Sequence, residues 1–146
     1  MPVKEINLTL KNEPGHLSVV SEILDSNGIN IIAFYVSTKG KEGSIRFVAN
    51  DPDKAITVLK ARGYKIRVTE VIACEIPSHP GGFNSILKPL KKEGINVGYI
   101  YPCLSCGGAE TTAILILGAT PTSRERMLAV LKDNWIRVLN EELYRL

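Results

Sequence analysis

The sequence predicts an α+β fold of two ferredoxin-like βαββαβ modules, their antiparallel sheets joined edge to edge with the helices on one face. Three observations predict it. Short markers recur at one constant spacing. Apolar residues alternate between strand and helix periodicity in the same order twice. Glycine and proline punctuate both halves at matching places.

The repeat is the strongest of these. Pro14-Gly15 recurs as Pro80-Gly81, Gly28-Ile29-Asn30-Ile31 as Gly94-Ile95-Asn96-Val97, and Tyr35 as Tyr101. All three share a spacing of 66 residues (14 to 80, 28 to 94, 35 to 101). Further on the spacing drifts, with Pro52 matching Pro121 and Ile66-Arg67-Val68 matching Ile136-Arg137-Val138, as turns of slightly different length would produce. Two copies of this length are a duplicated module rather than a solenoid. The boundary is expected near Val71 to Ala73, giving modules of residues 1–71 and 72–146.

In the first module Val3 to Leu10 reads as a strand, since Ile6, Leu8 and Leu10 alternate with Asn7 and Thr9. Asn12-Glu13-Pro14-Gly15 turns the chain into a helix, with Pro14 placed near its first turn, where a missing N–H costs little. Leu17, Val20, Ile23 and Leu24 share one helical face, and Asn27-Gly28 ends the helix with a glycine suited to a left-handed cap. Ile29 to Thr38 is a second strand, Lys39 to Gly43 a hairpin loop, and Ser44 to Ala49 a third strand with Ile45, Phe47 and Ala49 on one face. Asn50-Asp51-Pro52 caps a helix whose core set is Ala55, Ile56 and Leu59. Gly63 ends it, and Tyr64 to Val71 is the fourth strand.

The second module repeats the order. Ile72 to Ile76 opens it, and Phe83, Ile86, Leu87 and Leu90 keep helical spacing. Ile95 to Tyr101 and Thr111 to Leu117 form a hairpin, Thr120-Pro121-Thr122 starts a helix with Met127, Leu128 and Leu131, and Trp135 to Leu139 closes the sheet. Pro89 conflicts with this scheme. Inside a helix it removes one backbone bond, so a bend or a shortened helix is expected there.

A split βαβ order gives one four-stranded antiparallel sheet with both helices on one face. A module of about seventy residues is marginal alone. Joining the two edge to edge would give eight strands and remove two edges. Apolar residues on both faces of Ile29 to Val36 suit a strand buried at a junction, and a homodimer would cover further surface.

Composition excludes several classes. The chain has 146 residues, 45% hydrophobic and 23% charged, which is ordinary for a globular protein and unlike a disordered one. Its net charge of +3 comes from 18 basic and 15 acidic residues spread along the chain, densest at Lys88, Lys91 and Lys92, so no nucleic-acid footprint is read. The N-terminus alternates polar and apolar residues and does not read as a signal peptide. The longest uncharged apolar run, Ala113 to Ala119, is too short to span a bilayer. Three cysteines, an odd number, do not read as a disulfide framework. A cytoplasmic protein with no membrane partner is the expectation.

Asn12-Glu13-Pro14-Gly15-His16-Leu17 followed by Gly28-Ile29-Asn30-Ile31 resembles the signature of ACT domains, and the second module repeats it as Ser78-His79-Pro80-Gly81-Gly82-Phe83 and Gly94-Ile95-Asn96-Val97. The resemblance covers the whole chain and is greatest to small stand-alone proteins of two ACT modules without an attached enzyme. It implies a regulatory protein that binds a small effector, most often an amino acid, at an interface between modules. The site would combine the first strand–helix loop of one module with the second strand of its neighbour. Carried over residue by residue, that implies Asn12, Glu13, Pro14, Gly15, His16 and Leu17 with Asn30 and Ile31. In the second copy it implies Ser78, His79, Pro80, Gly81, Gly82 and Phe83 with Asn96 and Val97. Ser78 departs from the usual acid or amide, so the two sites need not be equivalent. With no output domain visible, a regulated enzyme would be a separate polypeptide.

The chemistry suits this implication. A carboxylate needs clustered N–H donors, and a glycine-opened helix start supplies them. An ammonium needs oxygens, which Asn12, Asn30, Asn96 and nearby carbonyls offer. Asn12 as a helix cap and Asn30 as a turn residue are equally ordinary roles. His16 and His79, the two histidines, fall in the two loops, as ligand contacts or as exposed loop residues. They flank Pro-Gly on opposite sides, which does not suit a metal pair. Tyr35 and Tyr101 are expected to pack in the sheet.

No cofactor motif (GxGxxG, GxxxxGK or HExxH) is present, and Glu110 and Glu141-Glu142 are isolated acids, so neither a cofactor nor catalysis is expected. The alternative class is a small redox or metal-binding protein using Cys103-x-x-Cys106. A zinc site needs about four ligands, and the one other cysteine is Cys74. Changing Cys103 and Cys106 to serine separates the two: a sensor keeps its ligand affinity, a redox protein loses its activity.

Overall fold

The computed structural model describes residues 1–104 and 111–146. In order, β1 (Val3–Lys11), α1 (His16–Ser26), β2 (Ile31–Lys39), β3 (Glu42–Ala49) and α2 (Pro52–Ala61) precede β4 (Ile66–Pro77). Then come α3 (Asn84–Lys92), β5 (Tyr99–Pro102), β6 (Thr112–Gly118), α4 (Pro121–Asp133), β7 (Val138–Leu139) and a 3₁₀ helix at Glu141–Arg145. Among the described residues this is mixed α/β with four α-helices and antiparallel strands, the βαββαβ order twice.

The chain divides into two compact units, Lys4–Thr69 and Met1–Val3 with Glu70–Leu146. In the first, the strands run β2-β3-β1-β4, with Ile6 opposite Phe47 and Leu8 opposite Ile45. In the second, β4 is flanked by β6 and β7, and β5 pairs β6 on the outside. The expected closing strand of one module and opening strand of the next are a single strand. Residues Ile66–Thr69 of β4 belong to one unit and Glu70–Pro77 to the other. No glycine, proline or turn residue lies between Tyr64 and Ile76 to break it.

Each unit has its own core. Ile6, Leu8, Val20, Leu24, Phe47, Ala55 and Leu59 form one. Cys74, Ile86, Leu90, Leu117, Met127 and Leu131 belong to the other. Leu17 and Phe83, which share the helical spacing of these faces, are 43% and 48% exposed. Each stands at or just before the first turn of its helix, and helical periodicity fixes an azimuth but not where the neighbouring layer stops. Pro14 precedes α1 rather than lying in it, because Gly15 takes a φ of 93° at the N-cap. With Pro89 inside it, α3 is 9 residues against 11 for α1, the shorter helix expected there. The second strands begin later than expected, at Ile31 and Tyr99.

All four helices end in the same way. The residue two past the cap donates its N–H back to the helix: Ile29 to Leu24, Tyr64 to Leu59, Ile95 to Leu90 and Ile136 to Leu131. This Schellman closure needs a left-handed residue just before the donor. Gly28, Gly63 and Gly94 fill it with φ of 68°, 85° and 67°, and Trp135 fills the fourth with φ 62°. Trp135 was expected to begin the last strand, which is only Val138–Leu139. Its side chain is 95% exposed, so burial does not offset the backbone strain. Trp135→Gly is therefore expected to stabilise the chain by about 0.5–1 kcal/mol, the relief of strain less the extra freedom of unfolded glycine. Urea unfolding measures it; a lower midpoint would mean the indole makes stabilising contacts.

Candidate functional site

The β1–α1 loop is pinned before it reaches the helix. The Asn12 N–H donates to Lys41 O at 2.8 Å, and its side-chain Nδ2 donates to Gly40 O at 3.0 Å. Asn12 is thus not the helix cap; it ties the loop to the β2–β3 hairpin. His16 Nε2 lies 3.3 Å from the Glu13 carboxylate, with both side chains solvent-accessible. The left-handed Gly15 then starts α1 with no side-chain cap. The first helical bond runs from Val19 N–H to Gly15 O. The N–H groups of Leu17 and Ser18 have no acceptor among the described residues.

The β4–α3 loop repeats this backbone. Ser78 N–H donates to Thr111 O at 2.7 Å, as Asn12 does to Lys41. Gly81 takes a φ of 88°, Gly82 N–H donates to His79 O, and Ser85 N–H reaches Gly81 O at 3.1 Å. The helix again lacks a side-chain cap. Here the N–H groups of Phe83 and Asn84 have no acceptor among the described residues. They are the exact-spacing counterparts of Leu17 and Ser18, 66 residues on (17 to 83, 18 to 84). The loops differ in side chains: among the described residues the Ser78 hydroxyl makes no tie like that of Asn12, and His79 Nδ1 turns to Pro80 O at 2.8 Å.

The other two helices behave differently. Asp51 caps α2 by accepting from Lys54 N–H, and Thr120 caps α4 by accepting from Ser123 N–H. Uncapped starts therefore belong to the two helices behind the Pro-Gly loops. Two unpaired N–H groups at the positive end of a helix are donors for an anion.

The strand residues of the expected site lie elsewhere within each module. Asn30 N–H donates to Asn50 Oδ1 at 2.9 Å and Asn50 N–H returns to Asn30 O at 3.0 Å, which fixes the entry to β2. Of the expected cap Asn50-Asp51-Pro52, Asn50 acts as this clamp, while Asp51 does the capping. The register puts Lys11 beside Glu42 and Glu42 beside Lys39, but Ile31 beside Ala49. Asn30 and Ile31 thus stand at the far end of β2 from the Asn12–Leu17 loop, about 25 Å away at strand rise. In the second module Pro77 pairs Thr112 while Tyr99 pairs Gly118, so Asn96 and Val97 are likewise distant from residues 78–83. They border an open depression of about 380 Å³ with Leu87, Leu90 and Lys91.

Tyr101 is buried and stacks on Tyr99 at 6.2 Å, whereas Tyr35 is exposed on β2 with Phe34 and Val36. Cys106 lies outside the described residues. Cys103 is half-buried, and burial pushes the Cys74 thiol up to about 12. Among the described residues no helix is long and apolar enough to cross a membrane.

A model of the family described as an ACT domain pair matches residues 1–146. The fold is similar to that of protein BT0572 from Bacteroides thetaiotaomicron, with TM-score 0.87, 26% identity, and coverage of 100% of this chain and 98% of that one. It is also similar to the regulatory subunit of aspartate kinase from Thermus thermophilus, with TM-score 0.63, 15% identity and coverage of 92% and 94%. A third similar structure, aspartate kinase from Synechocystis, has TM-score 0.59 and 18% identity, and this chain covers 25% of it while matching over 89% of its own length. No curated protein matches.

Proposed function

Since the chain belongs to the ACT domain pair family, a regulatory domain type, we propose that it is a non-catalytic cytoplasmic sensor that binds an amino acid and reports it to a separate protein. One observation carries the reading: two matched pairs of N–H groups without an acceptor among the described residues, Leu17 with Ser18 and Phe83 with Asn84, at uncapped helix starts opened by left-handed glycines. Each pair suits a carboxylate. Asn30 and Asn96, exposed and with side chains free of partners among the described residues, suit the ammonium.

The distance between loop and asparagine supports a dimer. If β2 pairs antiparallel with β2 of a second copy, Asn30 of one copy comes to the Lys39 end of the other, where the Asn12–Leu17 loop is pinned. Such a two-fold contact makes two equal sites, and it would cover Phe34, Tyr35 and Val36, which the single chain leaves exposed on an edge strand. A ligand bridging two copies favours the paired arrangement by its differential affinity, and that is what a partner enzyme would read.

A thermal-shift screen against the common amino acids tests the proposal. At a hundredfold excess over its dissociation constant the effector adds about 2.7 kcal/mol of stability. Asn30→Ala is expected to remove most of that gain while leaving the unliganded melting temperature within a degree or two. Stabilisation by none of the amino acids would overturn the reading.

A further inference from the structure

We infer that the second unit carries another ligand site, a cavity of about 280 Å³ between β4, α4 and β7 that takes a small zwitterion with an apolar tail. Its wall includes Val71, Ile72, Leu128 and Leu139, with Arg124 and Glu70 as the ion pair on it. None of the residues of the two Pro-Gly loops lines it, so it stands or falls apart from the reading above. The volume is just below the roughly 300–1,000 Å³ that drug-sized ligands fill, which suits a small metabolite.

The charge arrangement selects the ligand. Arg124 Nη2 lies 3.2 Å from Glu70 Oε2, and Nη1 donates to Glu70 O at 3.2 Å. Arg124 Nε and Glu70 Oε1 have no partner among the described residues. The guanidinium is four-fifths buried and the Glu70 carboxylate half exposed, so Glu70 is the partner that can move. A half-exposed pair of this kind is weakly held. A simple carboxylate taking the guanidinium would leave Glu70 uncompensated beside Glu125, a second acid on the same cavity. A zwitterion replaces both halves at once: its carboxylate takes Arg124 and its ammonium takes Glu70, so neither half of the pair is left uncompensated. Apolar walls then demand an apolar tail and exclude a polar one by its desolvation cost.

Amide chemical-shift titration of the full chain tests this, with leucine as the zwitterion and isovalerate as the same tail without the ammonium. Leucine is expected to shift Val71, Ile72, Leu128 and Leu139 saturably, and Arg124→Met to weaken that binding at least tenfold. Glu70→Gln is expected to weaken leucine and strengthen isovalerate, since the competing carboxylate is gone. Circular dichroism melts of both variants check that they fold, and Arg124→Lys, which keeps the charge, is expected to bind at intermediate affinity. Leucine shifts confined to Leu17, Ser18, Phe83 and Asn84 would overturn this site and leave the loop reading intact. Shifts at the cavity alone would support this site and count against the loops. No leucine shift anywhere, or equal leucine affinity in Arg124→Met, would overturn it outright.

Discussion

Replacing Arg46 with alanine is expected to destabilise the chain by about 3 kcal/mol, the low end of what breaking a buried ion pair costs. Glu5 on β1 is fully buried, and among charged residues it is the one described as buried. Arg46 on β3 places Nη1 3.1 Å from Glu5 Oε1, and it is itself 29% exposed. The register makes this contact diagonal: Arg46 stands opposite Asn7, two residues along the same face from Glu5. Alanine at 46 removes the cation and leaves the carboxylate in its buried place. For a chain of this size about 3 kcal/mol lowers the melting temperature by roughly 10 °C. A double replacement, Glu5→Gln with Arg46→Met, removes the charge from both sides and is expected to recover most of the loss. Thermal melts of the two single variants and the double form a cycle whose coupling energy isolates the pair. A loss under about 1 kcal/mol for Arg46→Ala, the range of exposed pairs, would mean that other contacts hold the Glu5 carboxylate.

Much of the fold was legible because its signals are local. Val20, Ile23 and Leu24 announce a helical face, Ile45 and Phe47 announce a strand face, and these residues are buried. The glycines at 28, 63 and 94 mark helix ends because left-handed backbone is a property of single residues. Trp135 shows the same property in reverse. Its β-propensity favoured a strand, and only its place three residues past Lys132, where Gly63 stands past Lys60, reveals the left-handed cap. Leu17 and Phe83 keep the spacing of the buried helical faces yet stand exposed, because burial depends on what lies opposite, which periodicity does not contain. Of the candidate site, the local part was legible. Pro14-Gly15 and Pro80-Gly81 pointed to the helix starts whose N–H groups are unpaired. The role of Asn12 on the hairpin, the clamp between Asn50 and Asn30, and the separation of Asn30 from the loop of its own module depend on strand register across 20 to 30 positions of sequence. No spacing rule carries that information. Glu5 does not stand out among the alternating residues of β1, since a strand pattern gives the face a residue is on but not whether that face is covered.

The second loop makes its own sharp prediction. Gly82→Ala is expected to cost about 3 kcal/mol or more, the upper range for forcing atoms into occupied space. A Cβ on Gly82 would overlap the carbonyl oxygen of Pro77, and would stand 2.8 Å from that carbonyl's carbon and 3.1 Å from His79 O. All three are backbone atoms, so no side chain can swing aside, and the end of β4 or the start of α3 must shift. Gly15→Ala and Gly81→Ala meet nothing within 4 Å, and their cost is confined to the left-handed backbone at φ 93° and 88°, about 1–2 kcal/mol each. The three substitutions thus separate space from conformation within one motif. They also separate the modules: Gly82→Ala displaces the N–H groups of Phe83 and Asn84, the second donor pair, and leaves those of Leu17 and Ser18 alone. With an effector in hand, Gly82→Ala is expected to halve the number of ligands bound per chain if both loops bind, and to leave it unchanged if only the first does. Chemical denaturation gives the stability order and calorimetric titration the stoichiometry. Gly82→Ala no costlier than Gly81→Ala would show that the loop yields, and that close packing against Pro77 is not what positions the second pair of donors.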